Sequence, residues 1–399
     1  MIVDDWATSG LATLTGHSDG LPDLSRAPVL HRAREVLDRF VTATDNRDVL
    51  TDLDAGEFLS GRAGLTGHTR NGRISAGGAT RLIRAADGWF ALSLARPDDV
   101  DLVPALLSGE MPDDDPWTCV ERAAQQLPAA DVVSRARLLG LAAAIPGEAD
   151  PRPPTVESRG TATDPRELSD LLVADLSSLW AGPLCTHLLA RAGATVVKVE
   201  SRSRPDGARR GNRDFFDWMN GGKLSYAVDL HDDKDNVARL LSTADVVVEA
   251  SRPRALQRHG LASDQLPARP GQVWVRLTAH GSSGSGADWV GFGDDAAVAG
   301  GLTAQTPTGP VFVGDAIADP LTGLEAAATV AESLARGGGL LIDTALSQVA
   351  ATYAGLGVVE KPTTTPEVST PRPPRREFLA AADLGADNAA IRAQMAGRT

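Results

Sequence analysis

Two aspartates, Asp294 and Asp295, stand in the segment VGFGDDAAVAGGL at residues 290–302, where a glycine-rich loop enters a helical run. The stretch before them, TAHGSSGSG at residues 278–286, has the composition of a mobile loop. A carboxylate under such a loop suits covalent chemistry, because Asp can attack an activated carbonyl while the loop closes over the intermediate. The same pattern also fits a helix whose first turn carries acids for capping and for the macrodipole, and spacing alone favours that plainer reading. A second group could bind rather than react. Arg202, Arg204, Arg209, Arg210 and Arg213 crowd one short run of a chain whose net charge is -13. Planar guanidinium forks suit phosphate, and within the run only Asp206 and Asp214 are at hand to neutralise them. An anion site and a solvated surface with ordinary ion pairs are both open.

Other chemistries find less support. The turn after the apolar run LVADL reads SSLWAGP and lacks GxGxxG, so close approach to a dinucleotide pyrophosphate is not specified. Glu200, at the end of the next apolar run, could hold a ribose or simply terminate a strand. The segment GGKLS at 221–225 lacks the first half of a P-loop. Histidines are scattered, with neither HExxH spacing nor a nucleophile triad, and Cys119 and Cys185 lack the paired spacing of a zinc site. No metal site is expected.

These residues need elements to hold them. Apolar runs LLVADL, TVVKVE, YAVDL, DVVVEA, VWVRLTAH and GLLIDTAL alternate with helical patterns, as in right-handed βαβ units. The expected fold is α/β, a Rossmann-like, mainly parallel sheet with helices on both faces, plus a smaller α+β domain that here comes first. In that first unit a helical pattern covers residues 27–45, RLIRAADGWFALSL reads as a hairpin around Asp87-Gly88, and three helical patterns follow from Pro97 to about Ile145. Two Pro/Thr-rich stretches, around 146–167 and 361–377, read as linkers. The expected organisation is a small domain at 1–150, a linker at 151–167, a Rossmann-like domain at 168–358, and a linker with a helical tail at 359–399.

Composition bounds the partners. An acidic chain offers no extended basic face, which argues against nucleic acid. No apolar run approaches a membrane span, no secretory signal opens the chain, and two cysteines make no disulfide framework. A soluble cytoplasmic protein is expected.

Four segments together resemble the family III CoA-transferases, the group of formyl-CoA transferase, carnitine CoA-transferase and α-methylacyl-CoA racemase. The family's strand-AGP-helix-VxKxE opening is similar to Val173 to Glu200, and its Asn-Lys-Arg stretch to NGGKLSYAVDL from Asn220. Its ADVΦΦENxRPxxΦxRxGL pattern is similar to Ala244 to Leu261, and GDΦxxDxxxGΦxAA to Gly314 to Ala327. The resemblance implies coenzyme A bound on the Rossmann-like domain and moved from a thioester to a carboxylic acid. An Asp attacks the thioester, a mixed anhydride forms, and the returning CoA thiolate gives an enzyme thioester; neither metal nor redox cofactor takes part. The family's nucleophile follows a Phe. Here Phe292 is followed by Gly293, so the resemblance points to Asp294, displaced by one, with Asp295 in reserve.

For coenzyme A the resemblance places Arg202, Arg252 and Arg258 near the adenosine phosphates, with Trp180 and Ala181 lining the thioester channel. Acyl-CoA and a carboxylic acid are the implied partners. Family members form dimers of interlocked chains, which implies a homodimer; they also carry the Rossmann portion first, so the order of units here is rearranged. Two alternatives accompany the transferase reading: a racemase of 2-methylacyl-CoA thioesters, and a CoA-binding member without transferase chemistry.

Overall fold

A computed structural model describes residues 1–109, 115–360 and 366–396. The opening of the second Pro/Thr-rich stretch, at 361–365, lies outside the described residues, as do 110–114 and the last three positions of the tail. Strands among the described residues run β1 (Thr80–Arg84), β2 (Trp89–Ser93), β3 (Ala142–Ala144), β4 (Thr155–Ser158), β5 (Leu172–Leu176), β6 (Thr195–Ser201), β7 (Leu224–Val228), β8 (Val246–Glu249), β9 (Val273–Thr278), β10 (Ala304–Thr306), β11 (Gly309–Val311) and β12 (Leu340–Ala345). Seven of them form one sheet in the order β4-β12-β9-β8-β5-β6-β7. All its neighbours are parallel except β4, which runs antiparallel to β12.

Numbered from β5, the parallel strands lie in the order 3-2-1-4-5-6, which reverses direction between β5 and β8. In such a doubly wound sheet the crevice beyond the carboxyl ends of those two strands is where ligands bind. The strands there are buried on both faces, so runs such as Val246–Glu249 need no polar alternation. One face is covered by the helices Ala181–Arg191 and Ala318–Ala335 together with the N-terminal helices Ala27–Ala43 and Ala55–Thr66, all in one apolar core. The other face packs against Lys234–Thr243 and the last helix, Asn388–Ala396. The α/β expectation therefore holds, with a mainly parallel sheet between helical layers. No helix among the described residues is long and apolar enough to cross a membrane.

The smaller sheet, β1-β2-β3, has its own core with the helices Pro116–Ala124 and Ala129–Leu138. Its hairpin turns at Asp87-Gly88, with Arg84 opposite Trp89. Four strands, in three stretches, escaped the sequence reading. β3 is three alanines, poor strand formers held by pairing with β2, and β4 lies inside the stretch read as a linker. The third stretch, β10 with β11, is a separate two-stranded hairpin.

Close approaches fix the layers. Gly323 lets the helix Ala318–Ala335 press on the start of Ala181–Arg191, since a Cβ there would stand 2.7 Å from the Ala181 carbonyl oxygen. Within the second Pro/Thr-rich stretch the described residues pack on the N-terminal helices. Thr13 Oγ1 donates to the Ser369 carbonyl at 3.0 Å, and the Ser369 amide donates to Ala7 at 2.9 Å. Farther on, Asn388 pairs its side-chain amide with β7, accepting from Ala227 N at 2.9 Å and donating to Ala227 O at 2.8 Å.

Candidate active site

The turn after β5 begins the site. Leu179 is held at φ 68°, a left-handed conformation unusual for Leu, and leads into Trp180 and the helix Ala181–Arg191. Gly182 is required there, because a Cβ would overlap the Ser177 side chain. Trp180 is buried, edge-on to Phe215 at 5.3 Å, and Arg62 from the helix Ala55–Thr66 lies over its ring at 4.7 Å. That helix is fixed by Asp54, which accepts from Gly56 N, and by Gly67 in the left-handed C-terminal position. It delivers a guanidinium to the head of the helix that follows β5.

Arg62 reaches acids from a distant part of the chain. It donates to both oxygens of Asp315, at 2.8 and 2.5 Å, and His68 Nδ1 stands 3.3 Å from the same carboxylate. Burial works against ionisation of Asp315, but Arg62 and His68 hold it well below the usual carboxylate range. Asp294, in the first turn of the helix Gly293–Ala299, accepts from the Ala316 amide at 3.0 Å. Burial, reinforced by the negative Asp315, pushes Asp294 up to about 6 although Arg62 opposes the rise. Asp319, in the first turn of the helix Ala318–Ala335, is raised to about 7, mainly by burial.

Asp295 differs in role. It is fully buried, accepts from Phe292 N at 2.9 Å and Ser93 Oγ at 3.1 Å, and so caps its own helix and ties it to β2. Burial raises it to about 7. His280 Nε2 lies 3.8 Å from Asp295 Oδ2, too far to bond, and both atoms are buried without a hydrogen-bond partner. Burial and Arg137 push His280 down to about 4, so it is neutral at physiological pH. Gly293 has no room for a side chain: a Cβ would overlap the Ala316 carbonyl oxygen and Asp319 Oδ2. Ala316 itself is at φ 45°. Of four described non-glycine residues with positive φ, two, Leu179 and Ala316, therefore flank this group, and such strain persists where surroundings over-determine it.

The arginine run is less free than its sequence suggests. Arg209 donates to both oxygens of Glu200, at 2.7 to 3.1 Å, so Glu200 is engaged with protein. Arg213 pairs with Asp217 at 2.9 Å. Asp206 serves Lys198, at 2.9 Å, and no arginine. Arg202 turns toward β7, donating to Ala227 O and standing 3.6 Å from Asp233. Arg252 and Arg258 bracket the short helix Pro253–Gln257 after β8 and carry no ion pair among the described residues. Arg202 thus follows β6 while Arg252 and Arg258 follow β8, on opposite sides of β5. The structure brings Trp180 and Asp294 to Arg62, with Ala181 next along the chain, and among the described residues it bonds none of the three arginines to that group.

Arg62, His68, Ser93, Asp315 and Asp319 were missed as site residues. Asp315 and Asp319 sit inside the Gly314 to Ala327 motif, which was a usable signal; Arg62 carried none, being 253 positions from its partner.

A sequence profile described as CoA-transferase family III matches residues 168–383, more than half of the chain. Succinyl-CoA–D-citramalate CoA-transferase of Chloroflexus aurantiacus is 32% identical over 196 residues, 45% of this chain and 49% of the relative. Succinate–glutarate CoA-transferase of Agrobacterium fabrum is 30% identical over 207 residues, 46% of this chain and 51% of the relative. A crystal structure of a hypothetical protein from Mycobacterium tuberculosis matches with TM-score 0.43 and 33% identity, covering 49% of this chain and 57% of that one. The chain spans about half the length of the curated relatives it matches.

Proposed function

Because the chain belongs to CoA-transferase family III, we propose that it moves coenzyme A from an acyl-CoA thioester to a carboxylic acid through covalent aspartyl intermediates. One observation carries this reading: buried carboxylates outnumber permanent cations beside Trp180 and Ala181, at the head of the helix that follows β5. A structural ion pair needs one acid per base. Here Asp315 already neutralises Arg62, and Asp294 and Asp319 remain as acids without a formal partner.

Desolvation makes such a carboxylate a stronger nucleophile and keeps water from the anhydride and thioester that follow. Carboxylate attack on the thioester carbon expels CoA thiolate and leaves an acyl-aspartyl anhydride. The thiolate then attacks the aspartyl carbonyl, releasing the donor acid and leaving an enzyme thioester. Repeating both steps in reverse with the acceptor acid yields the new acyl-CoA and restores the carboxylate. No oxidant and no net proton enters, so the reading asks for neither metal nor redox cofactor.

On this reading Asp294 is a nucleophile candidate, while Asp295 serves as a helix cap. Arg252 and Arg258, unpaired beside the switch point, are available for the adenosine phosphates, and Arg202 bounds the far side of the same crevice. A cytoplasmic homodimer is the assembly this reading expects. The names of both relatives specify succinyl-CoA or succinate exchanged with another dicarboxylate, which makes these the first substrates to try. Incubation with succinyl-CoA and either D-citramalate or glutarate should yield the acceptor's CoA thioester by chromatography. Coenzyme A that binds without any exchange would replace this reading by one of binding alone.

A further inference from the structure

The glycine at 293 and the acid at 319 belong together. A Cβ at Gly293 would overlap Asp319 Oδ2, so the carboxylate of Asp319 fills the room where a side chain at 293 would begin. The Ala316 carbonyl closes the same room from the other side, and the backbone there is pinned by the bond from Ala316 N to Asp294. Gly293 is therefore a packing requirement of this loop, and a carboxylate is present at that spot by another route.

Three features set Asp319 beside the head of the helix that follows β5, where the transferase reading puts the thioester. It lies one turn before Gly323 on the same face of its helix, and Gly323 presses on Ala181 and Leu184. Arg62 lies over the Trp180 ring and is a charge neighbour of Asp319. Trp180 Nε1–H, on a side chain only 1% exposed, has no acceptor among the described residues, which leaves a buried donor for a ligand oxygen beside the helix head. Asp294 is more enclosed. Each accepts one backbone amide, Asp294 from Ala316 and Asp319 from Gly293, but Asp294 is buried whereas Asp319 keeps partial exposure.

We infer that Asp319 is the carboxylate that forms the covalent intermediates in this chain, in place of the residue at 293. The inference rests on the transferase reading above. Asp319 Oδ forms a bond to the thioester carbonyl carbon as the C–S bond breaks and CoA leaves as thiolate. The thiolate then bonds to the Asp319 carboxyl carbon, and the donor acid departs with the anhydride oxygen. The test uses the full chain with succinyl-CoA or acetyl-CoA, trapping by hydroxylamine or borohydride, and peptide mass spectrometry. Modification at Asp319 is expected, and Asp319→Asn should lower CoA transfer by about a thousandfold or more while leaving coenzyme A binding, read by calorimetry, within a few-fold of about unity. Asp319→Glu keeps the carboxylate and checks folding, and it should still be trapped at that position. Modification at Asp294 in an active protein overturns this assignment and leaves the transferase reading intact. Binding of coenzyme A with no modified aspartate and no transfer overturns both.

Discussion

Two groups of buried charge are built on opposite rules. At the level where Asp175 of β5 pairs with Lys198 of β6, Lys223 Nζ, just before β7, meets Asp175 at 3.0 Å and Lys198 Nζ meets Asp206 at 2.9 Å, two cations against two anions. Acceptors crowd the cation: Lys223 Nζ, with three protons, also has Thr186 Oγ1 at 2.8 Å, Pro183 O at 3.0 Å and Asn220 Oδ1 at 3.1 Å within reach, while Asp175 accepts from Ser177 and Thr186. Although burial opposes it, the two lysines hold Asp175 well below the ordinary carboxylate range. Around Arg62 the accounting fails, since Asp294, Asp315 and Asp319 share one permanent cation. Asp294 and Asp319 end above their ordinary values. A complete network locks strands together, whereas a deficient one keeps carboxyl groups poised near neutrality.

The sharpest way to break this contrast is to make the balanced group unbalanced. Asp175→Ala leaves Lys223 buried without its counter-charge and should cost about 3–5 kcal/mol in urea unfolding at neutral pH. A loss below about 1 kcal/mol would mean the network is solvated and the contrast false.

A pH titration of stability probes the deficient side. Asp295, beside the group, has its folded value raised from 3.8 to about 7, so the folded form holds its proton more tightly than the unfolded chain. The stabilisation from that proton is complete below the unfolded value and is lost as pH climbs through the folded one. Between about pH 5 and 8 this group should cost roughly 3 kcal/mol, and Asp295→Asn should flatten that part of the curve. An identical slope in the variant would contradict the assignment.

Gly293→Ala tests the packing beside the acids. The added methyl must displace the Ala316 backbone or the Asp319 carboxylate, and about 1–3 kcal/mol of destabilisation is expected, measured by thermal unfolding. Smallest is Ser93→Ala, which removes one donor from Asp295 and should cost about 1 kcal/mol above pH 7. A cost as large as that of Asp175→Ala would place Asp295 in a locked network as well.

The balanced group was the easier one to find from sequence. Lys198 sits in the VxKxE pattern and Lys223 in the stretch after Asn220, each inside an alternation of apolar runs whose period names the element it belongs to. The deficient group is assembled by tertiary contact. Arg62 comes from a helix that shows no chemistry-bearing pattern, and it meets Asp315 only because the N-terminal helices pack onto Ala318–Ala335. Glycine at 293 reads in sequence as a missing nucleophile; its cause, a carbonyl and a carboxylate occupying the space, exists only in three dimensions. The arginine run shows the converse, since local density of charge gave no hint that Glu200 would engage Arg209 or that Asp217 would engage Arg213.

The pairing of Asn388 with β7 bears on how copies of the protein behave toward one another. β7 ends the large sheet, and its outer ladder would otherwise offer unpaired amides and carbonyls to any passing strand. One side-chain amide, with its oxygen on Ala227 N and its nitrogen on Ala227 O, imitates a neighbouring strand at that point without being one. The helix it starts then covers the adjoining apolar surface with Ile391 and Met395. With this tail in place that part of the edge is closed to another copy's strand, so crowded or heated solutions should tolerate its loss far less well than dilute ones.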